Sequence, residues 1–195
     1  MTNFTSEPQK SALILMDFQG FVLKNFMSPE IASLVVSRAA HVLKAARQAG
    51  LPVIHVAVSF RSGYPEISDR NAMFSRLRDN GLITPGSEDM RIEATLAPQE
   101  QEPVIIKHRI GAFSGTDLDM ILRAKEVRTL LLAGVTTSGV VLSTFRQAFD
   151  LDYDVVVIED ACADSDTDTQ AFLMGKLIPQ IGSVINSDTL IKSLP

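Results

Sequence analysis

One cysteine, Cys162, no tryptophan and three histidines are spread over 195 residues. A single thiol excludes an internal disulfide, and one Cys with three scattered His offers no zinc site of the usual spacings. Basic residues are also in deficit: 18 Lys+Arg stand against 23 Asp+Glu, a net charge of -5, and no Lys/Arg-rich block occurs. The electrostatic footprint of a nucleic-acid binder is therefore missing. The longest apolar runs have about the length of a strand and are soon broken by Asp, Gly or Lys, so no segment is expected to span a bilayer. Residues 1 to 10 have neither a basic n-region nor an apolar h-region, so no secretory signal is expected. The lone Cys fits a reducing, cytoplasmic setting.

What is present is a compact composition, 46% hydrophobic and 21% charged, which argues against disorder and fits one domain over residues 1–195. Ala12-Leu13-Ile14-Leu15-Met16 is a continuous apolar run that stops at Asp17, as a parallel strand covered on both faces would. Ser28-Pro29-Glu30 opens a helix with Ile31, Leu34, Val35, Val42 and Leu43 on one face and Gly50 at its C-terminal cap. Val53 to Val58 is a second strand. Residues 59 to 103 are irregular, with a short helix around Met73, Phe74 and Leu77, and read as a pocket wall. Pro103-Val104-Ile105-Ile106-Lys107 is a third strand ending in a lysine, followed by a helix capped by Thr116 or Asp117.

The stretch Arg128 to Ala163 organises the rest. It reads as a strand at 129–133, a turn Gly134-Val135-Thr136-Thr137-Ser138-Gly139, a helix from about Val140 to Asp150 and a strand at 155–158 ending in Glu159-Asp160. A helix near Gln170 to Lys176 and a strand at 183–185 close the chain. Alternating strands and helices predict a three-layer α/β/α fold, a doubly wound, mostly parallel sheet of about six strands. Ligands of such sheets bind beyond the carboxyl ends of the strands, where Asp17, Lys107 and the 134–140 turn all fall.

The turn has the glycine spacing of a P-loop but Val140 and Val141 where Lys and Ser/Thr are needed, so no nucleotide cofactor is expected. Ser138 is a nucleophile only if it is not, with Thr137, the cap of the following helix. Asp17 and Lys107 are either a proton-shuttling pair or a structural ion pair. His55 and His108 read as strand residues, and Cys162 as a small buried residue without an activating partner. Asp160, Asp164, Asp166 and Asp168 lack calcium-loop spacing and read as a solvated loop and helix cap. No metal site is expected.

Taken as an ordered set, Leu13 to Gln19, Val104 to Lys107, Ala112-Phe113-x-Gly115-Thr116, Gly134 to Thr137 and Glu159 to Ala163 resemble the isochorismatase-like hydrolases, also called cysteine hydrolases. The resemblance implies an active site of Asp17 and Lys107, a cis peptide between Val135 and Thr136, and a nucleophilic Cys six residues after Gly134. That position is Val140, so the thioester route of the family's amidases is absent. The Asp-x-His-x-His metal pattern of the nicotinamidase branch is missing too. The true isochorismatases likewise lack the Cys and are thought to protonate a vinyl ether instead. The expectation is a small-molecule hydrolase working by acid/base chemistry through Asp17 and Lys107, or else a silent binder of a small carboxylate or amide. Gln19, Val135, Thr136, Thr137 and Gly139 are expected to touch the substrate, with Arg61, Tyr64 and Phe113 beside them. Related proteins imply a homo-oligomer, dimer or tetramer.

Overall fold

The apolar run before Asp17 forms β1, Ser11–Met16, with all six residues buried. A computed structural model describes residues 10–195, so the polar tail expected before β1 lies, Lys10 apart, outside the described residues. The remaining strands are β2, Val53–Val58, β3, Val104–Lys107, β4, Thr129–Val135, β5, Asp154–Ala163, and β6, Ser183–Ile185. They make one six-stranded sheet in the order β3-β2-β1-β4-β5-β6, and every pairing is parallel. The order reverses direction between β1 and β4, the switch point where such sheets hold ligands.

Alternation along the strands divides the core in two. Leu13 and Leu15 of β1 face one layer with Val35, Ala39, Val42, Leu43 and Ala46 of α2, Pro29–Gln48. Ala12, Ile14 and Met16 face the other, with Leu118 and Leu122 of α4, Leu118–Ala124, and Phe145 and Ala148 of α5, Leu142–Asp150. Side chains two apart on a strand share a face, so one run of apolar residues feeds both layers. Helix α2 starts as its residues dictate: the Ser28 side chain accepts from the Ile31 amide and Pro29 takes the first helical position. It ends where Gly50 adopts φ +70, the left-handed turn that glycine enters without steric cost.

The structure departs from the sequence reading most at three places. The segment after Asp17 contains a helix that its composition did not announce, α1, Gly20–Phe26. Helix α5 begins at Leu142 rather than Val140, because Thr137–Val141 forms a wide π-type turn capped by Thr136, not by Thr137 or Ser138. Strand β5 runs on past Asp160 to Ala163: after an irregularity it rejoins β4, with Cys162 opposite Gly134. The short helix of the irregular region is α3, Ala72–Asp79. Near the C-terminus, α6 spans Thr167–Phe172 before another wide turn at 173–177, and α7, Ser187–Ser193, follows β6.

A buried ionic network ties α2 to the sheet edge. Glu102, just before β3, receives both Arg47 Nε (2.8 Å) and Arg47 Nη2 (2.7 Å), the Gln99 amide and His55 Nε2. Burial alone would raise the Glu102 carboxyl, but the bonds from Arg47, Gln99 and His55 outweigh it and hold the group at about 2. A carboxyl held below its ordinary 4.5 contributes stability that is complete above that value and is lost as pH falls toward 2. Glu102→Gln is therefore expected to lower unfolding stability at pH 7 by on the order of 2 kcal/mol. Urea titrations at stepped pH should show that deficit shrinking between pH 4.5 and 2.

Candidate active site

Asp17 ends β1 in the left-handed region, φ 57, a conformation that Asp tolerates better than most residues. Its amide still donates to Val56 O, so Asp17 stays tied to β2 just past the end of β1. Lys107 lies two strands away, a gap of roughly 10 Å at ordinary strand spacing. Register closes it: Lys107 sits opposite Val58 while Met16 sits opposite Val56, so the lysine lies farther along than the end of β1. Its stem crosses over β2 and puts Nζ 2.9 Å from Asp17 Oδ2 and 3.0 Å from Arg109 O. The lysine side chain is 2% exposed and that of Asp17 9%. Burial pushes the Asp17 carboxyl above its ordinary range, against the pull of the Lys107 ammonium. Asp17 Oδ1 is buried with no hydrogen-bond partner among the described residues.

The peptide joining Val135 to Thr136 is cis, as the resemblance implied. Thr136 Oγ1 accepts from the Gly139 amide at 3.2 Å, and Thr136 O accepts from the Val141 amide. The Ser138 amide donates to Asp164 Oδ2 at 2.6 Å. Asp164 is 6% exposed, so this aspartate is no part of a solvated loop: it is a buried carboxylate set against the turn. Asp160 likewise is engaged, accepting from the Ser187 amide and hydroxyl, whereas Asp166 caps α6 as expected.

Between these elements lies a cavity of about 130 Å³. Asp17, Lys107, Val135, Thr136, Gly139 and Val140 line it, so the residues singled out at the strand ends meet around one space. The other walls are apolar: Phe21, Val22 and Phe26 from α1, Met73, Phe74 and Leu77 from α3, with Val58 and Ile110. The excursion at 59–103 thus supplies one wall through α3. The expected contacts from Gln19, Arg61, Tyr64 and Phe113 do not line the cavity. Gln19 is fully buried and clamps backbone, donating to Val58 O and Met90 O and accepting from the Val58 amide. Arg61 is exposed and pairs with Glu66, Tyr64 packs on Phe60 and Phe113 on Tyr153. Thr137 is fully buried behind the turn, and Ser138 is exposed outside the cavity.

Cys162 also lies away from the cavity, its thiol directed at Leu132 O, and burial pushes it up to about 12. A thiol so held is a packing residue, not a nucleophile. His55 sits in the Glu102 network and burial lowers it, so it stays neutral; His108 bonds Ser59 O. Among the described residues no helix is long and apolar enough to cross a membrane.

The arrangement has counterparts. The model of the isochorismatase domain matches residues 11–189. The chain belongs to the isochorismatase family. Within it, the chain is 30% identical over 188 residues to the uncharacterized isochorismatase family protein YecD of Escherichia coli O157:H7, covering 94% of this chain and 96% of that one. It is 31% identical over 176 residues to the ureidoacrylate amidohydrolase RutB of Cronobacter sakazakii, covering 80% and 76%. A solved isochorismatase family protein from Burkholderia thailandensis superposes with a TM-score of 0.80 at 30% identity, over 95% and 96% of the two chains. The isochorismatase-like hydrolase fold explains why the pair, the turn and the cavity converge at one switch point.

Proposed function

We propose that this family member hydrolyses a small molecule by acid catalysis, without a covalent intermediate, using Asp17 as proton donor and Lys107 as its electrostatic partner. The observation that carries the reading is Asp17 Oδ1, a buried carboxyl oxygen beside a cavity and without a partner among the described residues. An unpaired buried polar atom costs about 1–3 kcal/mol, which a bound substrate group relieves. With an enol ether, the Asp17 proton passes to the terminal carbon, and the alkene electrons form the new C–H bond. Water adds to the resulting oxocarbenium carbon and returns a proton to the carboxylate. The hemiketal then collapses to a carbonyl compound and an alcohol. The Lys107 ammonium, 2.9 Å away, stabilises the carboxylate in the interval.

Val140 occupies the position to which the family resemblance assigns the cysteine; it is 2% exposed and lines the cavity. A valine cannot attack a carbonyl, which favours acid chemistry over acyl transfer. The same substitution supports a competing reading, a catalytically silent binder of a small metabolite. Assaying the purified protein for alcohol and carbonyl release from isochorismate or simpler enol ethers decides between them, and no turnover of any enol ether would refute the acid-catalytic reading. Val140→Cys is expected to acquire slow amidase activity on small amides, with a thioester adduct visible by mass spectrometry. Gain of that activity would show that only the nucleophile is missing.

A further inference from the structure

The Asp17–Lys107 pair lies under cover. Lys107, Val140 and Asp17 are all buried, so a substrate must pass the cavity walls to reach them. Most of those walls cannot give way. Val58 and Val135 belong to the sheet and are buried, as are Phe21 and Val22 of α1, and close-packed side chains of this kind move only together with their neighbours. Helix α1 is also tied from outside: Gln19 at its head donates to Met90 O, and Lys24 pairs with Asp89.

The wall from α3 is built differently. It hangs between two side chains sunk in the core, Ile67 and Ile83, and over the residues between them Phe74 alone is buried. Phe74 lies edge-on to Phe60, with ring centres 5.3 Å apart. Among the described residues, the hydrogen bonds and ion pairs of 68–82 are all made within 68–84. Ser68 O accepts from the Asn71 amide and Ser75 Oγ, Arg78 pairs with Asp69 and Asp79, Asn80 Nδ2 donates to Arg76 O, and Thr84 Oγ1 donates to Gly81 O. The ties to the body lie beyond the segment, at Glu66 O, which accepts from Arg109 Nη1, and at Met90 O. A segment with one buried side chain and no hydrogen bond or ion pair to the rest of the described residues opens at low cost. Gly81, at φ +70 just beyond the end of α3, is a pivot that glycine supplies without strain. Three residues of the segment, Met73, Phe74 and Leu77, line the cavity. We propose that residues 68–82 form a lid over the Asp17–Lys107 pair, latched by Phe74 against Phe60 and moving between its core anchors at Ile67 and Ile83 to admit substrate. Closure then strips water from the pair and strengthens its attraction.

The lid goes beyond the acid-catalytic reading, and its opening is read by a thiol rather than by turnover. Absence of enol-ether hydrolysis therefore leaves the lid standing, and failure of the lid leaves acid catalysis standing. Val140→Cys places one thiol under the lid; its thiolate attacks the disulfide of dithiobis(nitrobenzoate), forming a mixed disulfide and releasing coloured thionitrobenzoate. The two rings of this reagent exceed a space of about 130 Å³, so labelling waits for opening. Reaction of the parent protein, whose one thiol is Cys162, is subtracted. Phe74→Ala in this variant should speed labelling at least about 30-fold. An unchanged rate, or an acceleration matched by lost exchange protection of the β1 amides, would overturn the proposal. The unaltered protein supplies a second measurement. Off the body, the eight residues of α3 are too few to hold a helix in water, so in native-state hydrogen exchange the amides of 72–82 should exchange at least about 100-fold faster than those of β1 and β4. Equal protection would likewise overturn the lid.

Discussion

Asp17→Asn is expected to lower turnover of an enol ether about a thousand-fold, within the range of general acid catalysis, and to leave the protein folded. The amide has no proton acidic enough to transfer to carbon. It does keep an oxygen where Oδ2 stood, so the Lys107 ammonium retains an acceptor there as well as Arg109 O. The buried lysine is thus not stranded, and the stability cost should stay near that of one charge-assisted hydrogen bond, about 1.5–3 kcal/mol. Asp17→Ala should be far worse for stability, on the order of 3–5 kcal/mol, because it leaves a buried ammonium without its partner. Steady-state rates with urea unfolding of both variants make the comparison: loss of rate in a stable Asn variant marks chemistry, whereas loss matched by unfolding marks structure.

Gly134→Ala is the second large effect, and its cause is steric. A Cβ at this position would stand 2.8 Å from Met16 O and 2.9 Å from Met16 Cβ. Neither atom can step aside: Met16 is fully buried in β1, paired with Val56 on one side and Gly134 on the other. The central strands would have to spread, which is expected to cost about 3 kcal/mol or slightly more and to lower Tm by about 6–12 °C in a chain of this size. Asp17 follows Met16 directly, so turnover should fall with stability. Gly175→Ala is the control, since nothing lies within 4 Å of its added Cβ; that variant should melt within about 2 °C of the parent protein.

The frame of the molecule was legible because strand and helix obey simple periodicities. The runs at 12–16, 53–58, 103–107 and 129–133 are apolar at strand length, and each reappears in the sheet with a shift of at most two residues at an end. Asp17 and Lys107 stood out as charges ending apolar strands. What stayed hidden depended on distances between segments far apart in the chain. Asp164 looked like one member of an acidic loop, because nothing local reveals that β5 rejoins β4 beyond Asp160 and carries it to the Ser138 amide. The apolar wall from α1 had no signal in the sequence, whereas the wall from α3 was legible in Met73, Phe74 and Leu77, which line the cavity. Arg61, Tyr64 and Phe113 were chosen for chemistry alone, and each spends its side chain on a neighbour outside the cavity. Gln19 shows the converse: a polar residue beside Asp17 serves the backbone, joining the end of β2 to the Met90 turn.

The most direct test of a buried carboxylic acid at work is the pH dependence of kcat/KM for phenyl vinyl ether, after subtraction of the solution acid reaction. Burial raises the Asp17 carboxyl above its ordinary 3.8, and the protonated form is the one that gives up a proton. The rate constant should therefore hold level at low pH and fall as pH rises through that raised value, with the limb absent in Asp17→Asn. A rate that climbs with pH, or the same falling limb in the Asn variant, would contradict the account.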